Sequence, residues 1–193
     1  MKKFCDILLV MLIIIAIVVG ILICNKYIGR QKNDKKLSEI VTAIENIDVA
    51  EAQKKQEKIK IEGYEVEGII EIPKINIKYP IINETNDAAM KVSITKFWGN
   101  KINEIGNYTM AGHNNKDGTM FGKTKYLEIG DTIKMTDLSL NTIEYEIFKI
   151  YTIDPDDVTC VESIEPGTRE ITLITCTNGH KNRLITKARE IES

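Results

Sequence analysis

Apolar and polar residues divide the chain into three stretches with different periodicity. Residues 7–23 form an unbroken apolar run of seventeen near the N-terminus. A polar, Lys/Glu-rich stretch follows, and its apolar positions recur at helical spacing: Leu37, Ile40, Val41, Ile44 and Ile47. From about Gly63 the chain consists of short apolar runs separated by turn residues. The pattern therefore predicts an apolar helix, an amphipathic helix and a β-rich domain.

Short strands dominate the predicted domain. The candidates are residues 66–72, 75–82, 107–111, 132–135, 143–153, 170–176 and 183–189. Short helices are predicted at 87–93 and 120–127, and Phe97 and Trp98 are expected in the core. Seven or eight short strands in a stretch of this length favour a closed barrel or a sandwich.

The apolar run is interpreted as a membrane anchor. Its seventeen residues lie at the short end of what crosses a bilayer, roughly 17–25 residues. A cleaved signal peptide has a shorter apolar region and a small-x-small site, which the sequence at 23–27 lacks. Lysine and arginine flank the run on both sides, so charge alone leaves its orientation open.

These stretches predict three parts of the chain. Residues 1–30 form the anchor with its flanks, 31–62 a helical stalk or linker, and 63–193 the β-rich domain. The amphipathic face of the stalk leaves a second possibility open, that it packs on the domain. A length of 193 residues suits one domain with an appendage.

Charge and metal-ligand spacing exclude two classes of partner. The net charge is −2, of which residues 1–36 contribute +5, so the remainder carries −7. This acidic domain lacks a basic stripe with interleaved aromatics, which argues against nucleic acid. Its two cysteines and two histidines have no paired zinc spacing, so no metal site is predicted.

Three side chains at predicted strand ends favour nucleophilic acyl transfer. Cys176 ends the run Thr-Leu-Ile-Thr-Cys, Arg183 opens the next strand, and His113 follows an earlier strand in Ala-Gly-His. A cysteine supplies a thiolate, an imidazole moves protons, and a fixed cation holds a developing oxyanion.

A hairpin across residues 177–182 would bring two of these side chains together. One-to-one pairing sets Cys176 opposite Arg183, Ile174 opposite Ile185 and Thr172 opposite Lys187, and opposed residues share a face. A slip of one residue would send the thiol and the guanidinium to opposite faces.

The remaining candidates near Cys176 carry open alternatives. Cys160 is expected to be structural; a disulfide with Cys176 is the alternative in an extracellular domain, although the context of Cys176 favours a free thiol. Thr175 is a substrate-binding candidate that would either orient the loop or donate a hydrogen bond near the oxyanion. His180 is expected to be an exposed loop residue.

These motifs together resemble those of the sortases, membrane-anchored cysteine transpeptidases of Gram-positive bacteria. The resemblance extends from about Gly63 to Arg189 and includes Ile-Pro-Lys-Ile (72–75) and Asn-Asp-Ala-Ala-Met (86–90). It implies a closed eight-stranded sortase-type β-barrel with short helices, outside the cell. It also implies Cys176 as nucleophile, His113 as general acid/base and Arg183 as the residue that stabilises the oxyanion and substrate.

The resemblance further implies a reaction. The enzyme would cleave a Leu-Pro-x-Thr-Gly-like sorting signal after Thr, form a thioacyl-enzyme without a cofactor, and transfer the protein to an amine of a cell-wall precursor or to a pilin lysine. The pilin-building members carry an Asp-Pro-aromatic lid motif, which is missing upstream of Gly63, so anchoring is favoured over pilus assembly. A membrane-tethered peptide-binding or adhesion module on the same barrel is the alternative.

Overall fold

The N-terminal unit is a helix whose apolar side chains are largely uncovered. The computed structural model describes residues 2–46 and 59–191. The chain divides into two compact units, Met1–Lys36 and Leu37–Ser193. Helix α1 extends over Lys2–Glu45, and its segment from Met11 onwards is long and apolar enough to cross a membrane, with a mean hydropathy of 2.5. Residues 47–58 of the predicted stalk lie outside the described residues.

In its described residues, the second unit contains the end of α1, nine strands and one short helix. The strands are β1 (Lys60–Ile61), β2 (Tyr64–Ile72), β3 (Ile77–Ile82), β4 (Ile94–Trp98), β5 (Gly106–Ala111), β6 (Thr132–Asp137), β7 (Thr142–Ile153), β8 (Arg169–Thr177) and β9 (Asn182–Glu190). Helix α2 (Ala89–Val92) precedes β4. Single 3₁₀ turns lie at Pro73–Ile75, Thr124–Tyr126, Thr159–Val161 and Asn178–His180.

The sheet closes on itself. The strand order is β1-β2-β3-β4-β5-β8-β9-β7-β6, and β6 also pairs with β2. Strands β2 to β9 therefore form a ring of eight. Strand β1 lies outside this ring and pairs with the first two residues of β2. The β3–β4 and β5–β8 pairs are parallel and the others antiparallel. The predicted closed eight-stranded barrel is confirmed.

The barrel interior is filled by alternate residues of its strands. On β8 the inward positions are Ile171 and Leu173, which pack with Tyr108, Met110 and Ala188 of the neighbouring strands. The intervening residues of β8 and β9 therefore point away from the core. This alternation determines which side chains share the outer face of the barrel with Cys176.

A second apolar cluster lies between the end of α1 and the barrel. Leu37, Val41 and Ile44 are buried in it. Their partners are Ile61, Val66, Ile69, Ile82 and Ala89. Of the two possibilities for the amphipathic face, packing on the domain is therefore the one observed for these residues.

Strand β4 was not predicted, and the expectation for its aromatic residues was wrong. Phe97 is 42% exposed and Trp98 is 59% exposed, so neither belongs to the core. Strand β3 pairs with β4 only at Ile94 and Thr95, so the second half of β4 has no β3 partner. The predicted helix at 120–127 is also reduced to the 3₁₀ turn Thr124–Tyr126.

Candidate active site

The last two strands bring Cys176 and Arg183 together. They are directly opposed in the antiparallel β8–β9 ladder, as are Ile174 with Ile185 and Thr172 with Lys187. The predicted register is therefore confirmed. Both residues are half-buried and lie at the end of the ladder next to the Asn178–His180 turn.

His113 follows the strand that runs alongside Cys176. Strand β5 is parallel to β8, with Ala111 opposite Ile174. The pairing continues beyond β5, because the Gly112 N–H donates to the Ile174 carbonyl at 3.1 Å. Further along, Asn114 Nδ2 donates to the Cys176 carbonyl at 2.7 Å. These bonds fix the residues on either side of the half-buried His113 to the strand that carries Cys176, although His113 itself is not among the residues that line the cavity there.

The loop after His113 is fixed by its own contacts. The Phe121 N–H donates to the His113 carbonyl at 3.1 Å, and Asn114 forms a β-bridge with Met120. Phe121 is fully buried against Gly112, where a Cβ atom would come within 2.7 Å of the ring. Glycine is thus required for this close packing, which keeps the backbone of His113 in place.

Cys176 and Arg183 line a cavity of about 250 Å³. Most of its wall is apolar: Met90, Phe97, Ile153, Pro155, Val158 and Ile174 contribute to it. Thr85 and Asp157 add polar groups, and Ala111 and Gly112 add the backbone that leads to His113. The cavity suits a segment with apolar side chains and a reacting group next to the thiol.

Thr175 and Cys160 also line this cavity. Thr175 is buried, and its hydroxyl donates to the Gly112 carbonyl at 2.7 Å, which links β8 to the backbone that precedes His113. Its single proton is therefore committed to the backbone, an arrangement that favours the orienting role over donation to an oxyanion. Its assignment to substrate binding stays a prediction.

Cys160 differs from Cys176 in its surroundings. Both are free thiols, so the alternative disulfide is not formed. Cys160 is 2% exposed, and burial raises the pKa of its thiol, although the nearby Lys187 ammonium opposes that shift. A buried thiol with a raised pKa is a poor nucleophile, which agrees with the structural role expected for it.

One acidic residue of the β7–β8 connection binds a neighbouring residue of the same segment. The Asp157 carboxylate accepts from the Thr159 N–H at 2.8 Å and from its hydroxyl at 2.7 Å, and these bonds lower its pKa. Within the described residues, no group of three His, Cys, Asp or Glu side chains is arranged to hold a metal ion. The side chain of His180 lies outside the described part of the chain.

Sequence reasoning missed Asn114 and Asn107, whose side chains organise the backbone around this site. Asn114 binds the Cys176 carbonyl, and Asn107 binds carbonyls of the β7–β8 connection. The one feature of the sequence that points to a role for Asn114 is its position directly after His113. Asn107 lies inside a predicted strand, where an asparagine is unusual.

Comparison with known proteins identifies the family. The sortase domain family matches residues 70–191. Sortase A of Bacillus anthracis is 28% identical over 185 residues, which cover 88% of this chain and 87% of that protein. A Sortase D5 transpeptidase of Clostridium perfringens superposes with a TM-score of 0.68 at 30% identity, covering 83% of this chain and 98% of that one.

The fold is shared more widely. A sortase C of Clostridium perfringens, described with the C-terminal cell wall sorting motif, superposes with a TM-score of 0.63 at 22% identity and covers 82% of this chain and 99% of that one. Together, the family match, the Sortase A relative and the Sortase D5 structure show that the protein is a cysteine transpeptidase built on a closed β-barrel. The chain belongs to the sortase family.

Proposed function

We propose that Cys176 is the nucleophile, His113 the general acid/base and Arg183 the stabiliser of the oxyanion and substrate. The observation that carries this assignment is that Cys176 and Arg183 are paired and line the same cavity. The bond from Asn114 to the Cys176 carbonyl supports the part of His113, because it ties the segment after β5 to the same strand end.

The proposed chemistry proceeds in two acyl transfers. The Cys176 thiolate attacks the carbonyl carbon of the Thr–Gly bond, and the Arg183 guanidinium stabilises the tetrahedral oxyanion. His113 protonates the departing glycine amine, which leaves a thioester between Cys176 and the Thr acyl group. An incoming amine then attacks the thioester, His113 takes its proton, and the thiolate is released.

The proposed donor is a protein with a Leu-Pro-x-Thr-Gly-like sorting signal, cleaved after Thr. The largely apolar wall of the cavity supports a donor whose reacting segment carries apolar side chains. A related barrel described with a cell wall sorting motif supports the same class of donor. The proposed acceptor is an amine of a cell-wall precursor.

The proposed location is the outer face of the cell membrane. The apolar part of α1 supports a single-pass anchor in residues 1–30. The domain from 63 to 193 is proposed to lie on the extracellular side. Residues 31–62 are proposed to connect the two.

The assignment is tested with the full-length chain in detergent micelles, a panel of pentapeptides varied at each position, and an amine acceptor. We expect a mass increase on Cys176 equal to the acyl fragment and an amide product when the amine is added. Cys176→Ala should abolish both, while Cys160→Ala serves as the matched cysteine control. If peptides bind but no adduct forms at any pH, the tethered peptide-binding module is the better description.

A further inference from the structure

A second polar cluster shares the outer face of β8 and β9 with Cys176 and Arg183. Thr172 is opposed to Lys187, and Glu170 to Arg189. Glu170 and Thr172 lie an even number of positions from Cys176 on β8, so they share its face, and their partners on β9 lie an even number of positions from Arg183. Thr172 lies about 13 Å from Cys176 along the strand. Glu170 and Lys187 are each 1% exposed.

Two of these residues and Asn107 bind the backbone of the β7–β8 connection. Asn107 Nδ2 donates to the carbonyls of Cys160 at 3.1 Å and Val161 at 2.9 Å. Lys187 Nζ donates to the Glu162 carbonyl at 2.7 Å. The Glu170 carboxylate accepts from the amides of residues 164 and 165 at 2.9 and 3.0 Å. Asn107, Glu170 and Lys187 are called the loop anchor below.

The orientation of the Asn107 side chain is set within the barrel wall. The Thr172 hydroxyl donates to Asn107 Oδ1 at 2.9 Å, which turns the amide nitrogen toward the connection. Thr172 is fully buried and Asn107 is 7% exposed, so water does not compete for these bonds. Losing the amide would leave backbone carbonyls without the partner it provides, which is costly in a buried place.

Stability alone does not explain a buried charge pair here. Lys187 Nζ and Glu170 lie 3.7 Å apart, and burial lowers the pKa of Lys187 while Glu170 opposes that shift. Desolvation of two ions commonly cancels their attraction, and apolar replacements of such pairs are often as stable. The loop anchor has a clearer effect on the position of the connection than on stability, because it binds three carbonyls and two amides of this one short segment.

The same connection forms a wall of the cavity at Cys176. Pro155, Asp157, Val158 and Cys160 line that cavity. The 3₁₀ turn Thr159–Val161 joins this lining stretch directly to the residues that the loop anchor binds. Movement of residues 160–165 away from the barrel would therefore move the wall away from the thiol.

We propose that Asn107, Glu170 and Lys187 are positioning residues that hold the β7–β8 connection as a preformed wall of the substrate cavity. The proposal depends on the proposed function, because it assumes that the donor peptide lies against that wall. If the connection is out of place in part of the molecules, only the remaining fraction can bind the peptide. The apparent affinity for the peptide then falls in proportion to that fraction. The reacting groups themselves stay in place on β8, β9 and the segment after β5.

The test uses the full-length chain in detergent micelles with the best pentapeptide and an amine. Asn107→Leu removes the amide at nearly constant volume, and Lys187→Met is the second variant. We expect KM to rise about tenfold while kcat changes less than about threefold and the pH–rate profile keeps its shape. Hydrogen exchange should accelerate at residues 160–165 in both variants.

Asn103→Gly is the matched control. The Asn103 amide also donates to two backbone carbonyls, of Met135 and Asn141, but it lies outside the lining of the cavity at Cys176. Its φ of +65° is tolerated by glycine. This control should lower the melting temperature and leave KM unchanged.

Each outcome decides the proposal. An Asn107→Leu enzyme that loses stability like the control but keeps its KM overturns it. If the wild-type chain forms no thioacyl adduct, the proposed function fails, and peptide affinity together with exchange at 160–165 still decides the positioning role. If neither variant folds, the wild-type amides of residues 164 and 165 should exchange as slowly as barrel amides; exchange as fast as in exposed loops contradicts the proposal.

Discussion

Cys176 and Arg183 are directly opposed residues next to the turn that closes the β8–β9 hairpin, and their side chains therefore project from the same face of the barrel. Six residues lie between them in the chain, and the short turn at Asn178–His180 lets the two strands meet in register. The pairing puts a permanent cation next to a thiol without requiring any long-range adjustment of the fold.

Removing the thiol should abolish transfer without disturbing the fold. Cys176→Ala is expected to lower the transpeptidation rate by about 10³-fold or more, because no other group forms the thioester. Cys176 is only half-buried, so the melting temperature should change little. Product formation by mass spectrometry and thermal melting measure the two effects. Substantial thioester formation in this variant would contradict the assignment.

Arg183 should matter through its geometry as well as its charge. Arg183→Lys keeps a cation but loses the planar fork of donors, so kcat should fall about 100-fold. Lys181→Ala is the control for charge, since it removes an exposed cation from the same turn. Steady-state kinetics measure kcat for both variants. An equal fall in kcat would mean that catalysis depends on the net charge of the turn and not on the paired guanidinium.

The Cys160 thiol should be slow to alkylate in the folded protein. Only the thiolate reacts, and burial raises the pKa of Cys160, so little thiolate forms near pH 8. We expect iodoacetamide to modify Cys160 slowly in Cys176→Ala and rapidly after denaturation in urea. Labelling of native Cys160 at the rate of the unfolded chain would show that the connection opens freely.

The same shift predicts how stability depends on pH. A thiol whose pKa is raised on folding keeps its proton longer in the native state than in the unfolded chain. The free energy of unfolding should therefore fall as the pH rises above the unfolded value of about 8.5, where only the unfolded state loses the proton. Urea unfolding between pH 7 and 10 measures this, and Cys160→Ala should flatten the profile in that range.

The end of α1 should contribute to the stability of the barrel. Ile44 is fully buried against it, so Ile44→Ala is expected to lower the free energy of unfolding by about 2–4 kcal/mol. Ser38→Ala changes an exposed position of the same helix and should have little effect. Urea unfolding followed by circular dichroism compares them. Equal stability of the two variants would mean that this helical end is dispensable.

Strands and their pairing could be predicted wherever local patterns were strong. One-to-one pairing across the short turn was assumed for the last two strands, and the structure has that register for Cys176 and Arg183. Strand β4 was missed because its partner β3 reaches only Ile94 and Thr95, and the exposed Phe97 and Trp98 looked like core residues. The apolar character of a residue does not reveal whether a neighbouring strand is there to cover it.

The amino-acid order by itself determined the apolar helix, most of the strands and the end of the hairpin that carries the thiol, because these depend on spacing within a few residues. Only the tertiary structure decided that β6 closes the ring on β2 and that α1 ends against the barrel. It also decided that Asn107, Glu170 and Lys187 bind the backbone of the β7–β8 connection. These contacts join residues distant in the chain, and only closure of the barrel sets the distances and burial that make them favourable.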